Sequence, residues 1–356
     1  MVEKRKPKKV LIVFCVLFFL ILIGVGSFFY MLSPVDHNNK ENIKVVIESG
    51  MTSSGIASIL KEKGLIRNEF IFKVYLTIHK HQSLKATTYQ FNKSMSLGEI
   101  VSLLEKGNSY NPDEVRITFK EGKRITDYAK EIEKNTNHSY EEVIAVFKNR
   151  NILSQYIKDY WFLTDEILNT QIYYPLEGYL APDTYHFKNK DVEVEDIIVT
   201  MLNQMEKNLE KYKDKIQNNI HYYLTMASIV ELEGTNLENR KMIVGVFQNR
   251  LNSKMSLGSD VTAYYGVQQE MNRDLTVDEF NSINGYNTRV SSMMGKMPVG
   301  PICNSSLESL EASIHPTVHD YYYFVADKNG KIYYTKTMKE HEQKVVEIKS
   351  NGDWIW

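Results

Sequence analysis

The chain has 356 residues, of which 43 are Lys or Arg and 44 are Asp or Glu, and 43% are hydrophobic. The charge is uneven along the chain, because the first nine residues hold five basic side chains and one acidic one. The remainder is therefore mildly acidic and lacks the basic surplus that nucleic-acid-binding proteins normally show. We expect a folded protein with a real core and no nucleic-acid partner.

The two cysteines limit covalent and metal chemistry. Cys15 lies in an apolar segment near the N-terminus and Cys303 lies far outside it, so the two cannot pair with each other. Two cysteines are also too few for a Cys-ligated structural zinc site. No glycine-rich phosphate-binding loop is present, and we expect no disulfide, no metal and no cofactor.

The segment 10–32 contains no charged residue and no proline. As a helix rising 1.5 Å per residue it is long enough to cross a bilayer core of roughly 30 Å. The basic stub of residues 1–9 favours a cytoplasmic N-terminus, and the long apolar run differs from the shorter core of a cleavable signal peptide. The sequence therefore predicts a single transmembrane helix at 10–32, with the remainder on the outer side of the cytoplasmic membrane.

The part after this segment is predicted to be α+β. Residues 33–42 are polar and predict a tether, and the pattern over 43–110 predicts a compact β-α-α-β-α module. A strand near 115–119, then Glu121-Gly122 and an amphipathic helix, repeats the opening of that module, either as a reused unit or as convergence on a common turn. Residues 111–349 are predicted to form one larger mixed domain that ends in a hairpin over 321–334, followed by a tail at 350–356.

The segment Tyr222–Gly234 predicts a helix that is buried on all sides, because its apolar residues point in every direction at 100° per residue. Glu231 and Glu233 lie on it, on roughly opposite sides. A carboxyl group among apolar neighbours has a raised pKa, as a general acid requires. The alternatives are that either glutamate pairs with Arg240 or Arg250, or marks the end of the helix at Gly234.

Two further regions are rich in turn residues and aromatic side chains. One is the segment 175–185 (PLEGYLAPDTY), and the other comprises 285–288 (GYNT) and 298–304 (PVGPICN). Their composition suits stacking on sugar rings and hydrogen bonding to sugar hydroxyl groups, although ordinary turn chemistry explains the same residues.

Several of these segments occur in the order seen in a known family. They are residues 227–231 (ASIVE), 177–185 (EGYLAPDTY), Ser259-Asp260, 286–288 (YNT), 298–302 (PVGPI), and 323–326 (YFVA) before Glu340-His341. In these motifs the chain resembles MltG-type endolytic murein transglycosylases, the YceG-like family, over nearly its whole length. It departs from the family's usual pattern at Val261, at Val299, at Ser305-Ser306, where Pro-Gly is frequent, and at Glu342.

The resemblance implies a peptidoglycan transglycosylase with Glu231 as the catalytic acid and a LysM-like peptidoglycan-binding module at 43–107. Glu231 would protonate the glycosidic oxygen between N-acetylmuramic acid and N-acetylglucosamine, then act as base toward the C6 hydroxyl to give a 1,6-anhydro end. Glu233 is a second candidate for the acid. For substrate binding we predict Asp183, Tyr286 and Asn287, with Glu177 and Asp260 behind them.

Partners and rival functions follow from the same resemblance. It implies nascent glycan strands as substrate and cell-wall synthases (penicillin-binding proteins) with the elongation machinery as partners. A membrane-anchored peptidoglycan-binding scaffold without turnover, and a muramidase-type hydrolase that makes reducing ends, remain alternatives. The type of sugar end released distinguishes the two enzymes.

Overall fold

The computed structural model describes residues 8–48, 50–79, 84–107 and 113–354, and only the backbone of residues 8–13 and 15. The chain divides into two compact units, Met1–Asp113 and Glu114–Trp356. The predicted boundary at residues 110 and 111, residues 1–7 of the basic stub and residues 355–356 of the tail lie outside the described part.

The first unit begins with helix α1 (Lys8–Leu32). Most of its described large apolar side chains are exposed, Phe14, Phe19 and Phe29 among them. In the described part of the chain, no helix reaches the combination of length and hydropathy that a membrane span requires.

The tether predicted at 33–42 is not a free linker, because it is bonded to the module that follows it. The Arg67 guanidinium donates to the carbonyl oxygens of Pro34 and Val35 at 2.6 and 3.1 Å and lies over the ring of Tyr30. The Asp36 N–H donates to the Lys93 carbonyl oxygen at 3.0 Å. The polar composition of this segment therefore also serves hydrogen bonding to the module.

The β-α-α-β-α order predicted for the module is confirmed. Strand β1 (Ile43–Val46) pairs antiparallel with β2 (Thr88–Phe91), and helices α2 (Ser53–Glu62), α3 (Glu69–Ile78) and α4 (Leu97–Lys106) complete the unit. Helix α4 begins with a Ser96–Glu99 capping box and ends at Gly107, whose φ of 70° is left-handed.

The second unit is mostly helical. Its elements in chain order are β3 (Val115–Thr118), α5 (Ile125–Asn135), α6 (Tyr140–Phe147), α7 (Arg150–Asp159), β4 (Thr184–Phe187), α8 (Val194–Glu210), α9 (Lys213–Ile216), α10 (Ile220–Glu233), α11 (Leu237–Asn252), α12 (Asp260–Gly266), α13 (Val277–Phe280), α14 (Leu307–Ile314), β5 (Tyr323–Ala326), β6 (Ile332–Thr335) and α15 (Met338–Ser350). The fold is α+β, with small antiparallel sheets, as the sequence predicts.

Two strand pairs show where the local sequence pattern predicts the structure correctly and where it does not. The C-terminal hairpin is confirmed, with Tyr323 of β5 opposite Thr335 of β6. The end of the 175–185 segment, predicted as a loop, instead enters strand β4, which pairs antiparallel with β3 so that Thr118 lies opposite Thr184. The two strand-Glu-Gly-helix copies therefore differ, since β1 pairs within its own module and β3 pairs with a strand far along the chain.

Helix α10 passes between the two hydrophobic clusters of the second unit. Ile220 and Leu224 belong to one cluster, and Met226, Ile229 and Val230 belong to the other. Every residue from Leu224 to Val230 is buried. The all-round apolar pattern of this helix is explained by its position, because the stretch between two cores has no solvent face.

Candidate active site

The last turn of α10 carries Glu231 into a cluster of hydrogen-bond donors. Ser306 donates to Glu231 Oε2 with its backbone N–H at 2.9 Å and its hydroxyl at 2.5 Å, and the Ser309 hydroxyl donates to the same oxygen at 2.6 Å. Arg240 Nη2 lies 3.3 Å from Oε1. The side chain is 8% exposed, so Glu231 is a nearly covered carboxyl group with a polar surround.

Local chain geometry brings these donors together. Ser306 is the N-cap residue of α14, where its hydroxyl accepts from the Ser309 N–H. The N-terminus of a helix favours negative charge, and the Glu231 carboxyl lies there. Ser228 on α10 accepts from the Ile302 N–H at 3.0 Å, which holds the segment before Ser306 against the helix that carries Glu231.

Arg240 of α11 joins the cluster to the surface. Its guanidinium donates to the Gly234 carbonyl oxygen, to the Ser306 hydroxyl and to the Glu308 carboxyl, besides Glu231. Glu308 is 61% exposed, whereas Arg240 is 11% exposed. The pairing of Glu231 with Arg240, which the sequence left open as an alternative, is present in the structure.

The apolar surround predicted for this pair of glutamates is wrong, since donors meet the carboxyl oxygens of both Glu231 and Glu233. Glu233 accepts from the Ser259 hydroxyl at 2.5 Å. Burial raises its pKa, while the hydrogen bond from Ser259 and the charges of Arg250 and Arg289 oppose that rise. Two residues along α10 separate the two carboxyl groups, which places them in different environments on different sides of the helix.

Glu177 is an interior carboxyl group and does not meet solvent, being 1% exposed. It accepts from the Ile125 N–H at the start of α5 at 3.0 Å, from the Tyr265 hydroxyl at 3.1 Å and from the Asn304 side-chain amide at 3.3 Å. Burial outweighs these donors and raises its pKa to about 8. Glu177 therefore joins three segments of chain in the interior, where it cannot contact a ligand in the cleft directly.

A cleft of about 400 Å³ opens beside Glu231 in the second unit. Both Arg240 and Ser306, which contact the Glu231 carboxyl, line it. The other lining residues are Glu121, Pro182, Asp183, Gln204, Met205, Asn208, Leu224, Thr235, Ser305, Leu307, Glu308 and Leu310. Amides, hydroxyls, carboxyls and a few apolar side chains in one cleft suit a ligand with many hydroxyl and amide groups.

Of the predicted substrate contacts, Asp183 is the one that lines the cleft. It is exposed, and one of its oxygens accepts from the Thr184 N–H at 2.7 Å. Asp260 is also exposed but lies outside the cleft lining, at the start of α12, where it pairs with Arg289. Asp183 is therefore placed as a contact residue would be, and Asp260 lies away from this cleft.

Tyr286 and Asn287 have no exposed surface. The Tyr286 ring packs against the rings of Tyr173 and Tyr265, with centroids 5.0 and 4.7 Å away. The Asn287 amide donates to the carbonyl oxygens of Phe280 and Ser282, both at 2.9 Å. Neither residue is part of the cleft lining in this conformation, and both hold the 280–288 loop.

Sequence reasoning missed Glu121, Ser306 and Ser309 as members of this region. Glu121 was visible only as part of a repeated Glu-Gly pattern, and Ser305-Ser306 as a departure from a frequent Pro-Gly. No local signal links these positions to Glu231. Within the described ranges, no three His, Cys, Asp or Glu side chains are grouped as metal ligands would be.

Comparisons with known proteins agree with the motif order. The sequence model of the YceG-like family matches residues 45–347. A Bacillus subtilis (strain 168) protein named endolytic murein transglycosylase is 37% identical over 91% of this chain and 90% of its own length. A protein of the same name from Streptococcus pneumoniae (strain D39) is 33% identical over 93% of this chain, which spans 64% of that longer protein.

A solved structure supports the fold. The 2.6 Å crystal structure of a YceG-like protein from Listeria monocytogenes is similar with a TM-score of 0.61 and 35% identity. The similarity covers 86% of this chain and 99% of the solved chain.

Proposed function

Because this chain belongs to the YceG-like family, we propose that it is an endolytic murein transglycosylase that cleaves peptidoglycan glycan strands. The name of its Bacillus relative supports the activity. The observation that carries the proposal is the Glu231 carboxyl held beside a polar cleft by Ser306, Ser309 and Arg240.

The reaction requires two proton transfers and no water. In the proposal the catalytic carboxyl group is Glu231, which donates a proton to the oxygen between N-acetylmuramic acid and N-acetylglucosamine as the bond from that oxygen to C1 breaks. As a carboxylate it then removes the proton of the muramyl C6 hydroxyl, whose oxygen closes on C1. The product is a 1,6-anhydro end, and the carboxyl group regains its proton.

Geometry supports Glu231 over Glu233 for this role. Glu231 shares Arg240 and Ser306 with the cleft, whereas Glu233 bonds Ser259, which is 3% exposed and is not part of the cleft lining. Asp183, Gln204 and Asn208 are then the candidate contacts to sugar hydroxyl and N-acetyl groups, because these polar residues line the same cleft.

Product analysis tests the proposal. Purified protein is incubated with uncrosslinked glycan strands, and the released ends are identified by mass spectrometry. We expect 1,6-anhydro ends from the wild type and none from Glu231→Gln, with Glu233→Gln as the matched variant two residues away. Reducing ends would establish the hydrolase instead, and binding of strands without any release would establish the scaffold.

We also propose that the segment 10–32 anchors the protein in the bacterial cytoplasmic membrane with the second unit outside. The uncharged run, the basic flank and the exposed apolar side chains of α1 support this. The same proposal gives the β-α-α-β-α module a LysM-like peptidoglycan-binding role and makes cell-wall synthases its partners. An ectodomain that cuts glycan in vitro yet fails to replace the full chain in cells is the expected result, and equal rescue by both would contradict the anchor.

A further inference from the structure

Helix α8 contributes a pair of side-chain amides to the cleft. Gln204 and Asn208 lie four residues apart on one face of the helix, and both are half-buried and line the cleft. Gln204 Nε2 donates to Asn208 Oδ1 at 3.0 Å. The two amides therefore meet a ligand as one unit.

The amide pair keeps one hydrogen-bond acceptor and one donor for a ligand. Among the residues that the structure describes, no partner meets Gln204 Oε1 or Asn208 Nδ2. Turning both amides over leaves the same complement, because each amide carries an acceptor oxygen and a donor nitrogen. An acetamido group matches this complement, since its N–H donates and its carbonyl oxygen accepts.

Apolar side chains line the cleft beside the amide pair. Met205 of α8, Leu224 of α10 and Leu310 of α14 are each at most 3% exposed and belong to one hydrophobic cluster. An acetamido group ends in a methyl group, and removal of a methyl group from water against such side chains is favourable. The cleft therefore suits both the polar and the apolar part of an acetamido group.

The position of Leu224 relates this region to the reacting bond. Leu224 precedes Glu231 by seven residues on α10, which is about two helical turns or roughly 10 Å. An acetamido group at Leu224 therefore belongs to a neighbour of the muramyl residue that reacts at Glu231. Because the two sugars alternate along a glycan strand, the adjacent sugar on either side is N-acetylglucosamine.

Hydrogen bonds hold α8 in place on both sides of the amide pair. Tyr160, which follows α7, donates its hydroxyl to Asn203 Oδ1 at 2.8 Å. Tyr212, which follows the end of α8, donates its hydroxyl to the Glu311 carboxyl group of α14. Because the helix is held to its neighbours, little ordering is needed when a ligand binds.

We propose that Gln204, Asn208 and Met205 form a specificity subsite for the acetamido group of an N-acetylglucosamine next to the bond that breaks. Gln204 Oε1 accepts from the acetamido N–H, Asn208 Nδ2 donates to the acetamido carbonyl oxygen, and the methyl group packs on Met205. This inference rests on the proposed function, because glycan strands supply the sugar. The three residues position the strand, and both proton transfers stay with Glu231.

NMR of the full-length chain with methyl-labelled methionine tests the subsite without turnover. Met205 reports on the cleft, while Met51 and Met95, which pack against the core of the first unit, report on binding there. The probes are β-1,4-linked tetramers of N-acetylglucosamine and of glucose, which differ in the acetamido or hydroxyl group at C2. We expect the acetylated tetramer to shift the Met205 resonance and to bind about tenfold more tightly, the effect of one or two hydrogen bonds.

Asn208→Asp replaces the free donor by a negatively charged acceptor. It should weaken binding of the acetylated tetramer about tenfold and strengthen binding of a glucosamine tetramer, whose C2 ammonium group is a cationic donor. Gln204→Ala should abolish the preference for the acetylated tetramer over the glucose tetramer. Asn151→Asp is the matched control, because Asn151 is an exposed asparagine of α7 outside the cleft lining, and it should bind as the wild type does.

Equal affinities of the wild type for the acetylated and glucose tetramers, read at Met205, would overturn the inference. An unchanged preference in Asn208→Asp would overturn it as well, provided that the melting temperature shows a folded variant. On glycan strands, Asn208→Asp should raise KM about tenfold with kcat nearly unchanged, because a positioning residue remote from C1 contributes to binding. A loss in kcat alone would contradict this role.

The two proposals fail separately. If the wild type releases anhydro ends while Met205 shows no preference between the tetramers, the subsite is wrong and the proposed function stands. If Met205 shows the preference and its dependence on Asn208 while no anhydro ends appear, the subsite stands and the proposed function is wrong.

Discussion

Ser306 donates both its backbone N–H and its hydroxyl to one carboxyl oxygen of Glu231, at 2.9 and 2.5 Å, while it caps helix α14. One residue thereby orients the Glu231 carboxyl and begins the helix whose N-terminus faces that carboxyl. Resemblance places a frequent glycine at this position, which would keep the N–H bond and lose the hydroxyl bond.

Ser306→Ala separates these two roles. The loss of the N-cap is expected to cost about 1 kcal/mol of the free energy of unfolding. The loss of the hydroxyl bond to Glu231 is expected to lower kcat about tenfold, since hydrogen bonds to charged groups contribute roughly 1.5–3 kcal/mol. Ser139→Ala is the matched control, because the Ser139 hydroxyl accepts from the Glu142 N–H at the start of α6 as the Ser306 hydroxyl accepts from the Ser309 N–H at the start of α14. Ser139→Ala should lower the free energy of unfolding by a similar amount and keep full activity. An equal loss of activity in both variants would contradict the role of Ser306.

Glu177→Gln tests the interior carboxyl group. The pKa of Glu177 is about 8 in the folded protein against an ordinary value of 4.5, so the folded state holds a proton that the unfolded state releases. The stability that this proton confers is fully present below pH 4.5 and is lost as pH rises toward 8. Urea unfolding of the wild type should show the free energy of unfolding falling by at most about 1.4 kcal/mol per pH unit in this window.

The Glu177→Gln variant lacks this titration, so its free energy of unfolding should fall less steeply with pH over the same window. Glu141→Gln, on an exposed face of α6, should keep the wild-type slope. Parallel slopes in wild type and Glu177→Gln would show that Glu177 is ionised in the folded protein.

Gly178→Ala measures the close approach that joins the 177–182 segment to the 301–304 segment. Gly178 has a φ of 81°, and a side-chain carbon there would stand 2.3 Å from Pro301 Cβ. Gly330→Ala is the matched control, with a φ of 78° and open space around it. The control should lose about 1–2 kcal/mol for its left-handed backbone. Gly178→Ala should lose roughly 1–3 kcal/mol more, because the overpacked segments must move. Equal losses by chemical denaturation would refute this steric contribution.

Asp183→Asn and Asp260→Asn compare two exposed aspartates that differ in position. Asp183 lines the cleft, whereas Asp260 pairs with Arg289 outside the cleft lining. We expect Asp183→Asn to raise KM for glycan strands several-fold, because a carboxylate accepts hydrogen bonds from sugar hydroxyls at both oxygens. KM should be unchanged in Asp260→Asn. A larger effect at Asp260 would move the substrate path away from this cleft.

The sequence by itself determined the features that depend on nearby residues. The β-α-α-β-α order of the first unit, the hairpin around Gly330 and the all-round apolar pattern of α10 depend on residues within a few positions of one another. The order of the motifs also indicated the family, because several independent segments of this chain match the family's motifs in the same order. These predictions needed no knowledge of which segments meet.

Only the tertiary structure decided the surroundings of each carboxyl group. The donors to Glu231 from Ser306 and Ser309 lie 75 and 78 positions away, and Glu177 meets partners 52 and 127 positions away. Periodicity placed Glu231 in a buried helix and so predicted an apolar surround. It could not show that the last turn of that helix leaves the core and meets the N-terminus of α14.

The tertiary structure also decided which side chains of the loops are exposed. Tyr286 and Asn287 have the composition of a glycan-binding loop, yet their side chains pack inward, while Asp183 and Glu121 line the cleft. Turn residues predict that a chain reverses direction and do not say which side of the turn faces solvent. That choice follows from packing between segments that are distant in sequence, such as Tyr286 against Tyr173.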